Sequence, residues 1–105
     1  ARAFDWLDGL RLMSYFGTGR LSTVQSVAYT GTAGTISNGI SPVVNKVRVV
    51  ATTDCYIKID NNPTATTSDT LLPGLAAEYF TVTPGQKVSA VQVSAGGTLN
   101  VTEII

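Results

Sequence analysis

The sequence predicts an all-β fold, an antiparallel sandwich or small barrel, on three observations. From Ser22 onward the composition turns to Thr, Val, Ser, Gly and Ala, the residues of strands and turns. Short alternating runs recur with turn signals at roughly the 8–12-residue spacing of such folds. No second helix can be read after the N-terminal segment. The 105 residues fit one domain. A domain of this size buries roughly 65% of the surface its unfolded chain exposes, a margin that a partner subunit would widen.

The N-terminal segment differs from the rest. "FDWLDGLRLMSYFG" gathers most of the large side chains, Phe4, Trp6, Leu7, Leu10, Leu12, Met13, Tyr15 and Phe16. Asp5 suits an N-cap, Asp8 follows three residues on, and Gly17 suits the position past a C-terminus. Trp6, Leu10 and Met13 share one helical face at i, i+4 and i+7. Gly9 opposes this, at about 1 kcal/mol in a helix interior. Residues 1–21 are therefore read as a short helix or arm, either folded on its own sheet or gripping a neighbour. Residues 22–105 are read as the sandwich domain.

Strands are expected over 23–30, 45–52, 55–60, 76–83, 87–94 and 98–104, with a weaker one over 35–37. In "VNKVRVVA", Val47, Val49 and Ala51 point one way and Lys46 and Arg48 the other. In "CYIKID", Cys55, Ile57 and Ile59 face inward and Lys58 and Asp60 outward. Cys55 is thus expected as a small buried hydrophobe.

Two turns decide connections. A loop of Ala95-Gly96-Gly97 sets Val93 opposite Leu99 and Val91 opposite Val101, whereas a Gly96-Gly97 loop sets Val93 opposite Asn100. Only the first matches apolar with apolar, so 88–104 is expected to be an antiparallel hairpin. At Pro84-Gly85 a tight hairpin would set Val82 against Lys87 and Phe80 against Ser89. Pro-Gly also favours a type II turn, which splays strands, so a corner between sheets is expected there.

The charged fraction is 13%, against about 25% in soluble domains. Aliphatic residues are plentiful, so the low charge reads as a surface facing other protein. Seven basic residues balance seven acidic ones. The basic residues are scattered, which argues against a nucleic-acid partner. No apolar run approaches the ~18 residues of a membrane span. "ARAFDWLDGL" has neither the basic end nor the apolar run of a secretion signal, and with one cysteine the expected folding compartment is a reducing cytoplasm.

The chain has no histidine and one cysteine. Ser-His-Asp and Cys-His devices and a structural zinc site are thereby excluded. No cofactor or metal is expected, and no catalytic residue is assigned. Carboxylates are the remaining acid–base option. Asp54, Asp60 and Asp69 flank one loop, "DNNPTATTSD", whose oxygens would suit calcium but whose spacing departs from a calcium loop. The glycine pairs at Gly17–Gly19 and Gly31–Gly34 lack the lysine and strand-to-helix setting of a phosphate loop. Asn100-Val101-Thr102 matches a glycosylation sequon inside an expected strand.

One resemblance stands beside these readings. "VRVVATTDCYIKIDNNPTATTSDTLLPGLAAEYFTVTPGQKVSAVQVSAGGTLNVTEI", residues 47–104, resembles small structural proteins of tailed bacteriophages, in its strand ending "TTDCYIKID", then "NPTAT", "LLPG…EYF", "PGQKVSAVQ" and a last strand after "GGTLNVTE". Such proteins are capsid decoration (cement) subunits or the β-rich heads of virion fibres. The resemblance implies a jelly-roll-like β-sandwich, often trimeric, without enzymatic activity. It implies location in the virion after synthesis in the host bacterial cytoplasm, with the major capsid protein or another virion protein as partner. The N-terminal segment lies outside it. There Phe4, Trp6, Leu10, Tyr15 and Phe16 are the expected interface anchors, with Arg2, Arg11 and Arg20 as polar partners, since aromatic and Arg side chains dominate binding at interfaces. The competing reading is a glycan- or host-surface-binding module of a fibre or spike, using Tyr56, Asp60, Asn61 and Asn62.

Overall fold

The computed structural model describes residues 19–105. The expected N-terminal helix or arm lies outside them, apart from residues 19–21. Of these, Arg20 pairs with Ile105 through both main-chain bonds (2.7 and 2.8 Å) and Leu21 already belongs to the first strand.

Among the described residues the fold is all-β. The strands are β1 (Leu21–Tyr29), β2 (Gly34–Thr35), β3 (Lys46–Ala51), β4 (Cys55–Asp60), β5 (Thr70–Leu72), β6 (Glu78–Thr81), β7 (Lys87–Gln92) and β8 (Gly97–Ile104). They form two four-stranded antiparallel sheets, β1-β8-β3-β6 and β2-β7-β4-β5. The pairing is nested. The first strand lies beside the last, the second beside the seventh, the third beside the sixth and the fourth beside the fifth. Only the β4–β5 connection stays within one sheet.

The core fills the space between the sheets. Val47, Val49 and Ala51 of β3 and Leu99 and Val101 of β8 face Cys55 and Ile57 of β4, Leu72 of β5 and Val88 and Ala90 of β7. Alternation along β3 and β4 places these side chains as the period-2 pattern predicts: Lys58 and Asp60 are exposed, while Lys46 and Arg48 are half-buried on the outward side. Ile59 is only partly buried at the core margin.

The expected 88–104 hairpin does not form. β7 and β8 lie in different sheets, and Val91 pairs with Tyr56 rather than Val101. Val88 and Ala90 carry β7 into the core, and Val93 lies beyond the strand with its N–H on Asp54 O (3.3 Å). A period-2 pattern states which side chains share a face; it does not state which strand lies alongside. Leu99 and Val101 meet their apolar partners on β3, at Ala51 and Val49.

The Pro84-Gly85 corner is present. Gln86 N donates to Thr83 O at 3.1 Å and Gly85 has φ +92°, the geometry of a type II turn with glycine at its third position. It carries the chain from β6 in one sheet to β7 in the other.

Candidate functional site

Three connections meet at one end of the sandwich: β3–β4, β5–β6 and β7–β8. Thr52, Thr53, Asp54, Gly74, Leu75, Ser94 and Ala95 line a cleft of about 360 Å³ between them. Tyr29 organises it from below. Its ring is buried, and its hydroxyl donates to Thr53 O at 2.8 Å, lies 2.8 Å from Thr53 Oγ1 and accepts from Thr53 N at 3.3 Å. Thr53 Oγ1 in turn donates to Ala95 O at 3.0 Å, and Thr52 Oγ1 accepts from Thr98 N at 2.9 Å. One phenol thus fixes the β3–β4 connection, and through it the β7–β8 connection. Gly97 makes room for this. A Cβ there would lie 2.6 Å from both the Thr52 and the Thr53 hydroxyl and 2.7 Å from the Tyr29 hydroxyl.

The β5–β6 connection is fixed by Asp54 and Ala51. Asp54 Oδ1 accepts from Gly74 N at 2.7 Å, and Leu75 N donates to Ala51 O at 2.7 Å. Together they hold Leu75 at φ +59° with its side chain 81% exposed. At the opposite end Val43 stands at φ +64° and 94% exposed, in a turn closed by Val44 N to Ser41 O (3.2 Å). A β-branched residue at positive φ is an outlier that costs of order 1–3 kcal/mol and persists where its surroundings impose it. Here the turn is tied down by Glu103. Its Oε2 accepts from Ser41 N (3.0 Å) and Ser41 Oγ (3.1 Å), while Oε1 is buried without a partner. Each end of the sandwich therefore presents one exposed aliphatic side chain on a backbone held in the left-handed region.

Cys55 lies in the core, where burial pushes its thiol above the ordinary range; the Tyr29 hydroxyl beside it lowers it and Asp54 raises it further. A thiol of this kind is a hydrophobe rather than a nucleophile.

The expected oxygen-rich loop is a packed strap. Pro63 and Ala65 are buried against the outer face of the second sheet. Ala65 N donates to Ser89 Oγ at 3.0 Å, and Thr35 Oγ1 donates to Pro63 O at 3.2 Å and lies 3.0 Å from Ser89 Oγ. Asp54, Asp60 and Asp69 do not converge. Asp60 Oδ1 takes Asn61 N (2.7 Å), Asp69 Oδ2 takes Thr66 N (2.7 Å), and Asp54 sits at the far end on Gly74. Among the described residues no three acidic or thiol groups are placed to hold a metal ion.

The remaining candidates fall as follows. Phe4, Trp6, Leu10, Tyr15, Phe16, Arg2 and Arg11 lie outside the described residues. Arg20 is exposed, and with Gly19 and Ile105 it lines a wide depression of about 630 Å³. Tyr56 is half-buried on the outer face of the second sheet. Four steps along the strand, about 13 Å, separate it from Asp60, so it stands apart from Asn61 and Asn62. Asn100 lies within β8, its amide donating to Ser26 Oγ at 3.3 Å. Sequence reasoning missed Tyr29, Ser89 and Glu103 as organising residues. Glu103 had a legible signal, since it shares parity with Leu99 and Val101 and so had to enter the core. Among the described residues no helix is long and apolar enough to cross a membrane. No family model, no curated protein and no solved structure matches the chain.

Proposed function

We propose that this chain is a non-enzymatic structural subunit of a bacteriophage virion, a capsid decoration (cement) protein that braces the shell through subunit contacts. The observation that carries the reading is the strand order. We read the nesting of eight strands first with last, in sheets β1-β8-β3-β6 and β2-β7-β4-β5, as jelly-roll-like, and this supports the proposal because jelly rolls recur in viral capsid and lectin domains. Fold alone does not assign function. The surface adds a second argument. Val43 and Leu75 project from opposite ends, on a domain of low charge, and exposed aliphatics held in strained turns suit contacts with other protein. The mechanism is burial of apolar and main-chain surface across joints with like copies and with the major capsid protein or another virion protein, each joint burying on the order of 1,600 Å².

The test is compositional and mechanical. Mass spectrometry of purified particles should find the chain in stoichiometric amount, and particles lacking it should release their contents at lower temperature. Its absence from purified particles would end this reading. The glycan-binding alternative is favoured by a different observation, the hydroxyl-lined cleft of Thr52, Thr53, Asp54 and Ser94. It predicts glycan-array signals that disappear in Asp54→Ala.

A further inference from the structure

The four sheet edges are treated unequally. β2 is two residues long, β5 three and β6 four, and β6 carries Glu78. Short or charged edges discourage pairing with other chains. β1 is the exception. It has nine residues, LSTVQSVAY, with no charge, proline or glycine among them. One flank pairs with β8. On the other, the Gln25 side-chain amide is bonded to both main-chain groups of Asn38 (2.9 and 3.0 Å), and near the end of the strand Gly34 lies so close to the Ala28 carbonyl that a Cβ would not fit. From Ser22 to Val27 no main-chain bond to another described residue occupies that flank. The side chains on its outward face are apolar or small: Leu21 is 66% exposed and Val24 54%, followed by exposed Ser26 and Ala28.

We infer that the free edge of β1 is a strand-pairing site, and that its occupant is the β1 edge of a second copy of this chain, antiparallel about a two-fold axis. The occupant follows from charge and register. An edge without charges meets no like-charge opposition when it faces itself. The register irregularity in β1 falls between Leu21 and Val24, so an axis through Gln25 keeps the central Gln25 and Val24–Ser26 pairs on the regular part of the strand, with Thr23 at the margin of the irregular stretch. Each Val24 then faces the partner's Ser26, and each Thr23 faces the partner's Val27. Residues of one face stay on one face, and the two four-stranded sheets continue as one of eight strands. An isologous joint of this kind closes a pair, or links two larger rings. It is a property of the isolated chain, so it stands or falls separately from the virion reading.

The experiment is analytical ultracentrifugation of the full chain over a concentration series. It compares wild type with Val24→Lys/Ser26→Lys, Val24→Glu/Ser26→Glu, and an equimolar mixture of the two variants. Both positions are exposed and the substitutions remove only the exposed 3.3 Å bond from the Asn100 amide to Ser26, so each variant should melt close to the wild-type monomer, read at a concentration where both are monomeric. The wild type should associate reversibly into pairs. Each variant alone should associate roughly a hundredfold more weakly or less, because like charges face each other across the joint. The mixture should restore pairs. A wild type that stays monomeric throughout, variants that associate as the wild type does, or a mixture that stays monomeric would each overturn the proposal.

Discussion

Replacing Tyr29 with Phe tests whether one hydroxyl organises the loop end of the sandwich. The ring stays buried in Tyr29→Phe, so apolar burial is preserved and only the hydroxyl is lost. Three of its polar contacts go to Thr53, at 2.8, 2.8 and 3.3 Å. A net hydrogen bond contributes about 0.5–1.5 kcal/mol, and a buried group left unpaired costs about 1–3. Thr53 is only half-buried, so water can recover part of the loss. The balance is a destabilisation of about 1–2 kcal/mol, which lowers Tm by roughly 4–15 °C in a domain of this size. Calorimetry reads the midpoint, and hydrogen exchange locates the effect, with Thr53 opening faster and the β-ladder of β3 and β8 unchanged. The cycle with Thr53→Val should give a coupling of about 0.5–2 kcal/mol. A second readout has a fixed sign. The Tyr29 hydroxyl lowers the Cys55 thiol, so in Tyr29→Phe that thiol moves further up and reacts more slowly with alkylating reagent at alkaline pH. A Tyr29→Phe protein with an unchanged midpoint and unchanged exchange at Thr53 would refute this account.

The other expectations concern the strap, the buried acid, the thiol and the N-terminal segment. Ser89→Ala leaves the buried Ala65 N–H unpaired and should cost about 1–3 kcal/mol; hydrogen exchange should accelerate across 61–69 and nowhere else. Glu103 is 1% exposed, with one carboxylate oxygen on Ser41 and the other without a partner. Glu103→Gln keeps an acceptor for Ser41 and removes the charge, so its denaturation midpoint should equal or exceed the wild type's. Glu103→Ala loses both bonds and should fall by about 2–4 kcal/mol. The Cys55 thiol is raised in the folded protein, so the unfolded chain ionises first. That contribution is whole below the ordinary thiol range near about 8.5 and is lost as pH rises through the folded value. Wild type minus Cys55→Ala should show this loss in melting experiments at alkaline pH. Removal of residues 1–17 should leave a folded sandwich by circular dichroism with weaker attachment to its scaffold; an unfolded product would place that segment in the chain's own core.

What was legible in the sequence was face, and what was not was partner. Alternation in "VNKVRVVA" and "CYIKID" put Val47, Val49, Ala51, Cys55 and Ile57 in the core, because side chains on a pleated strand alternate whatever lies beside it. The Pro84-Gly85 corner was legible because it is set by local stereochemistry, a proline followed by a residue free to take positive φ. The 88–104 hairpin failed for the complementary reason. Val93 matches Leu99 in polarity, but Ala51 and Val27 match it as well, and the nested pairing of first strand with last selects those. β5 was missed because three residues after a serine- and threonine-rich loop carry no period, and Leu72 enters the core through its pairing with Cys55. The packing of the strap was not legible because Asp60 to Asp69 read as an ordinary polar loop. Each carboxylate in fact caps its own turn, while Pro63 and Ala65, the least polar residues there, do the packing. The same distinction governs the loop-end cleft. Tyr29 was visible as a tyrosine on the inward parity of β1, yet its role depends on Thr53, 24 residues away and on another strand's connection. Local chemistry therefore determines which residues are available to a site in this fold. The nesting of the strands determines which of them meet, and the uncharged outer edge left by β1 is a consequence of that nesting which composition alone does not reveal.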